Sequence, residues 1–169
     1  MWIKYPIIIL IFYFLFLFQA SFLAHFSVLG IVPNFVFILF FLALFFSTAD
    51  SISEPKTIPK IFRENIFFAV SAGFFLDLFY FSFFGPAIIS LVIVAVSVKK
   101  IFGSLREQKD KYPLNYFLIL FLGSFLFYGI VSGLSAHSIS ISWIFGFGII
   151  YNLLFALLGF SIYKYLKSR

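Results

Sequence analysis

The chain has 169 residues, 63% of them hydrophobic, and a mean hydropathy of +1.14. A soluble domain of this size has no room for so much apolar surface, so the composition reads as an all-α integral membrane protein with almost nothing left for a soluble domain. There is no cysteine, which excludes disulfides, thiolate nucleophiles and Cys-ligated metals. The net charge of +6 reads as topogenic, and not as a nucleic-acid footprint, because the basic residues sit in the gaps between apolar runs.

The first apolar run predicts a helix over 5–24. It is too long for the h-region of a signal peptide and lacks a convincing small-x-small cleavage site, so it reads as a membrane span. Gln19 is its one strongly polar interior residue. A short uncharged link leads to Pro33-Asn34 and a second helix over 33–47, with the proline in the first turn, where its missing N–H has no partner to lose. Residues 48–64 carry six charges and two prolines and read as a polar loop. The third helix is predicted over 65–83, and Gly85-Pro86 makes a tight turn into a fourth over 86–102. A second polar segment follows. Pro113 opens a fifth helix over 113–133, and Trp143 opens a sixth over 143–163. The expectation is a single six-helix transmembrane domain spanning 1–169.

Six spans place the N-terminus, the 48–64 loop, the 99–112 segment and the C-terminal tail on one side. Their Lys and Arg number one, three, five and three, which accounts for all twelve in the chain. The positive-inside rule then puts both termini in the cytoplasm. The outer links hold only a few residues each, so partners are expected within the bilayer or at the cytoplasmic loops.

One charged side chain, Asp77, falls inside an apolar run. A charge at the bilayer centre costs roughly 2.5–3.5 kcal/mol on insertion scales, so such a residue is rarely kept without a use. Ala69, Ala72, Gly73 and Asp77 share one helix face. Phe67, Phe68, Phe74, Phe75 and Phe79 fill much of the rest. A thin polar seam facing protein and a wide aromatic back facing lipid are expected. Counted from position 65, Asp77 lies about 17 Å along the helix, near or just past the midplane. Asn152 has a similar depth and shares a small-residue face with Gly148, Ala156 and Gly159. Asn152, Tyr128 or Tyr151 is therefore the expected hydrogen-bond partner of Asp77. Ala69, Gly73, Asp77 and Asn152 form a candidate seam for packing or for a partner. A structural clamp and a direct contact with a partner or ligand both suit Asp77. A proton relay lacks a second intramembrane carboxylate.

Other motifs carry less. Gly129-x-x-x-Gly133 and Ala20-x-x-x-Ala24 suit tight helix packing inside the monomer, with a helix dimer face as the alternative. His25 and His137 stand at the outer boundary with no carboxylate near them, which makes no metal site. No catalytic constellation can be assembled, and neither an enzyme activity nor a cofactor is expected. The basic segment at Lys99, Lys100, Arg106, Lys109 and Lys111 reads as topogenic and lipid-facing, with a secondary use in holding a cytoplasmic partner.

Taken in order, Gln19, Pro33-Asn34, Gly73-x-x-x-Asp77-Leu78 and Gly85, eight residues after the acid, form a pattern that resembles the MreD family of bacterial rod shape-determining proteins. Pro33, Asn34, Gly73, Asp77 and Gly85 match the family pattern, whereas Ala69 stands where the family often has glycine. The resemblance implies a fold similar to the substrate-binding subunits of energy-coupling factor transporters. It also implies a non-enzymatic scaffold in the bacterial cytoplasmic (inner) membrane, acting in cell shape and lateral peptidoglycan synthesis. Its implied partners are an MreC-like membrane scaffold, with the RodA glycosyltransferase, a penicillin-binding transpeptidase and the MreB filament nearby. The alternative is the vitamin-binding subunit of an energy-coupling factor transporter, which size and span count fit equally well.

Overall fold

The computed structural model describes residues 4–27, 32–53, 58–80, 84–104, 114–135 and 143–167. They form an all-α arrangement of six helices: α1 (Lys4–Ser21), α2 (Phe35–Ser53), α3 (Ile58–Tyr80), α4 (Pro86–Ser104), α5 (Leu114–Ser135) and α6 (Trp143–Lys167). A 3-10 turn, Leu23–Phe26, follows α1. The Ala20-x-x-x-Ala24 pair therefore does not lie on one α-helix.

The helices match the expected order, but several boundaries move. The 48–64 stretch is mostly helical: α2 continues to Ser53 and α3 begins at Ile58. Pro59 falls in the first turn of α3, where no intrahelical donor is lost. Asp50 thus lies near the end of α2, and Lys60, Arg63 and Glu64 in the first two turns of α3. The earlier start changes the setting of Asp77, which lies in the last turn of α3 and not at its middle.

The centre of the fold is α2. It packs against α1, α3, α4 and α6, and among its described large apolar residues Leu39 alone is exposed. Phe35–Phe46 has no polar face, the pattern of a helix surrounded by protein or lipid. Its row Phe37, Phe41 and Phe45 meets Phe117, Phe121 and Phe125 of α5, largely edge-to-face, with centroids 5.1–5.8 Å apart. Such geometry suits the ring quadrupole, and each pair contributes roughly 0.5–1.5 kcal/mol beyond its buried area. Around α2 the remaining helices form an arc in the contact order α1, α3, α4, α5, α6.

Helices consecutive in the chain run in alternating directions. The end of α1 meets the start of α2 through Gln19 and Val36, and the end of α2 meets the early turns of α3 through Ser47, Thr48 and Asn65. Lys99, near the end of α4, stands 3.6 Å from the centroid of the Phe62 ring early in α3. The described basic residues, Lys4, Lys60, Arg63, Lys99, Lys100, Lys164 and Lys167, thereby belong to one end of the bundle.

The aromatic back of α3 is partly covered by α1. Tyr5 packs on Phe67, Phe12 on Phe68, and Phe16 on Phe75. Phe75 is buried and Phe74 is exposed, while the side chain of Phe79 lies outside the described residues. The outer surface is otherwise strongly apolar: Phe14, Leu78, Ile89, Ile119, Leu154 and Ile162 are each about half exposed or more. A monomeric soluble protein rarely shows apolar surface on so many elements. Two helices contain stretches long and apolar enough to cross a membrane, Leu114–Val131 and Phe147–Lys167, and shorter apolar stretches cover Tyr5–Ser21 and Phe35–Ala49.

Because Phe41 is fully buried between α2 and α5, Phe41→Ala should cost about 3–5 kcal/mol through lost contacts and a cavity. The check is the thermal unfolding midpoint of the detergent-solubilised variant, expected well below that of the parent.

Candidate functional site: two capped helix starts

The polar residues singled out in the sequence converge on the N-termini of α4 and α2. A helix start leaves its first backbone N–H groups without intrahelical partners, and burying them unpaired is costly. At α4 the Asp77 carboxylate meets nearly the whole demand. Its Oδ1 accepts from Ala87 N–H at 2.8 Å, and its Oδ2 accepts from Gly85 N–H at 3.0 Å and from Ile88 N–H at 3.2 Å. Pro86 has no N–H to satisfy. Ile89 N–H already donates to the Gly85 carbonyl at 2.9 Å. The carboxylate also faces the positive end of the helix dipole.

Two glycines make this contact possible. A Cβ on Gly73 would lie 2.5 Å from Ile88 Cα and 2.7 Å from its nitrogen, so only glycine lets the first turn of α4 lie against α3. Gly85 has φ +124°, a conformation that side-chain-bearing residues rarely adopt. Gly73-x-x-x-Asp77 and Gly85 are thus parts of one hairpin.

At α2 three amide side chains share the task. Asn34 precedes the first helical residue and caps the helix itself, its Oδ1 accepting from Phe37 N–H at 3.0 Å. Gln19 of α1 accepts from Val36 N–H at 3.4 Å. Asn152 of α6 accepts from the Asn34 backbone N–H at 2.6 Å and donates to the Gly148 carbonyl at 2.7 Å. Phe35 N–H reaches the Pro33 carbonyl and Ile38 N–H the Asn34 carbonyl. Gln19 and Asn152 are both almost fully buried.

The expected bond from Asp77 to Asn152, Tyr128 or Tyr151 is not formed. Backbone donors take the carboxylate because it stands at a helix start, and Asn152 turns to a different helix. Ala69, Gly73 and Asp77 are buried, and Gly73 and Asp77 lie against α4, so this face is an internal seam. Gly159 packs against Leu42 of α2. Gly129 and Gly133 are half-buried. His25 is exposed, with Nδ1 2.9 Å from the Ser21 carbonyl; His137 lies outside the described residues.

Sequence reasoning missed a third polar cluster at the opposite end. Ser47 donates to Asn65 Oδ1 at 2.7 Å, and Asn65 Nδ2 donates to Thr48 at 3.2 Å. Its signal was the Ser-Thr pair closing a long apolar run, matched by an asparagine where the next run starts. Among the described residues, no three His, Cys, Asp or Glu side chains gather into a metal-binding group. Neither a family model, a curated protein nor a solved structure matches the chain.

Asp77→Asn keeps the shape but loses the charge and one acceptor oxygen, and turns an NH2 toward backbone donors. A loss of about 1–3 kcal/mol is expected, visible as a lowered thermal midpoint in detergent. An unchanged midpoint would show that the cap contributes nothing.

Proposed function

We propose that this chain is a non-enzymatic scaffold of the MreD type, embedded in the bacterial cytoplasmic membrane by six helices with both termini inside. In this reading it supports cell-wall elongation by holding an MreC-like partner. One observation carries the proposal. Gln19, Asn34, Gly73, Asp77 and Gly85, the residues that bear the resemblance, share a single structural task in two adjacent helix hairpins. Their order is therefore a coherent fold signature and not a scatter of short matches. The membrane placement draws on the apolar exterior and on the distribution of Lys and Arg along the sequence.

The role follows from where polar chemistry is spent. Asp77 and Asn152 are consumed in holding helix starts, which makes a rigid body whose business lies on its outer faces. Affinity purification of the tagged protein from its native membrane in mild detergent, read by mass spectrometry, should recover an MreC-like protein, with or without RodA and the transpeptidase. Recovery of a pair of ATPases with a transmembrane coupling subunit would overturn the scaffold reading in favour of a vitamin-transporter subunit.

The topology has its own check, made clean by the absence of native cysteine. A cysteine at Ser27 should react with a membrane-impermeant thiol reagent in intact spheroplasts. One at Lys100 should react only after permeabilisation.

A further inference from the structure

Lys99 and Lys100 follow one another in α4 but take different surroundings. Lys99 is turned to α3, with its Nζ 3.6 Å from the centroid of the Phe62 ring. Lys100 is exposed and has no partner among the described residues. It lies three residues after Ser97 and seven after Ile93, so these three share one helix face. Ile93 and Ser97 line a groove of about 390 Å³ between α4 and α5. The floor of that groove is branched and aliphatic, with Val94, Val98 and Leu120 buried, and Ile101 and Ile119 stand exposed at its edges.

We infer that Lys100 and this groove form a site for one anionic phospholipid of the inner leaflet, with the headgroup phosphate at Lys100 and an acyl chain along the groove. The inference rests on the membrane reading given above and adds a ligand to it. Three observations choose the occupant. First, the floor is made of branched aliphatic side chains. Helix-on-helix docking in a membrane favours small residues that let backbones approach, whereas a flexible hydrocarbon chain fits a floor of this kind. Second, the span matches one leaflet. On α4 the groove runs from Ile93 to Ile101, eight residues or about 12 Å, against about 15 Å for half of a bilayer's hydrocarbon core. Its end at Ile101 lies three residues before Ser104, the last residue of α4, so it opens toward the basic end of the bundle. Third, the charge at that opening is free. A lysine at a helix end carries its ammonium out to the headgroup level, and the cytoplasmic leaflet supplies acidic lipids there. Lys99, already set against an aromatic ring, leaves this contact to Lys100.

The test is native mass spectrometry of the full-length protein in mild detergent, with phosphatidylglycerol or phosphatidylcholine of identical acyl chains added. The parent should retain phosphatidylglycerol in preference to phosphatidylcholine. Lys100→Ala should lower phosphatidylglycerol retention about fivefold, the loss expected for one lysine contact to an acidic lipid, and leave phosphatidylcholine unchanged. Lys164→Ala removes an equally exposed lysine from α6, which does not line the groove, and should change neither. Gly123→Leu fills the groove from the α5 side, where a Cβ meets nothing within 4 Å, and should reduce retention of both lipids with the thermal midpoint unchanged. Ser97→Leu, from the α4 side, should act alike and serves if the first variant folds poorly. Equal retention of the two lipids, an effect of Lys164→Ala as large as that of Lys100→Ala, or full retention by both groove-filling variants would overturn the site. Failure of the membrane reading looks different. A cysteine at Lys100 that is labelled in intact spheroplasts would overturn the orientation whatever the lipid result. Equal lipid retention together with the expected labelling would overturn the site alone.

Discussion

A buried helix start is the constraint on which this fold depends. The starts of α2 and α4 lie against protein, and each must find acceptors for its first N–H groups. At α4 one carboxylate supplies them, with proline removing one donor and the Gly85 carbonyl taking another. At α2 a local asparagine does part of the work and amides from α1 and α6 complete it. Because these acceptors come from other helices, satisfying the caps also fixes which helices are neighbours. Tertiary structure in a molecule this apolar has little other directional information, since greasy surfaces pack almost equally well in many registers.

The two caps differ in a way that physical chemistry explains. Asp77 brings a full charge into a nonpolar setting, which is tolerable only if several strong donors meet it. The tight α3–α4 hairpin delivers three N–H groups and the positive end of a helix dipole to one carboxylate. That hairpin needs Gly73 for close approach and Gly85 for its backbone angle. The start of α2 is looser and more widely shared, so neutral amides suffice. Its position is secured instead by the aromatic rows that lock α2 against α5.

Much of the helix order could be read from the chain, because six apolar runs separated by charge, proline and glycine leave little choice. The seam on α3 was equally visible, since small residues recur around one acid at helical spacing. What holds that acid was not. Its partners are backbone N–H groups, which carry no residue identity, and the available hint was Gly85-Pro86 eight to nine residues later, a helix start in need of an acceptor. Asn34 gave a similar hint: an asparagine just before a long apolar run is a cap signal, yet taking Pro33 as the helix start hid it. The beginning of α3 was misplaced because charges and prolines resemble a loop, although Pro59 fits a first turn. The central place of α2 had a signal too, in an apolar run with no polar face.

The distribution of polar groups bears on how such a molecule acts. Asp77, Asn34 and Asn152 are engaged in capping, and Asn65 is engaged with Ser47 and Thr48. An interior arranged this way is stiff, because displacing α1, α3, α4 or α6 leaves a buried donor or carboxylate unpaired. Stiffness of this kind suits a body that presents a fixed surface more than one that opens and closes around a cargo.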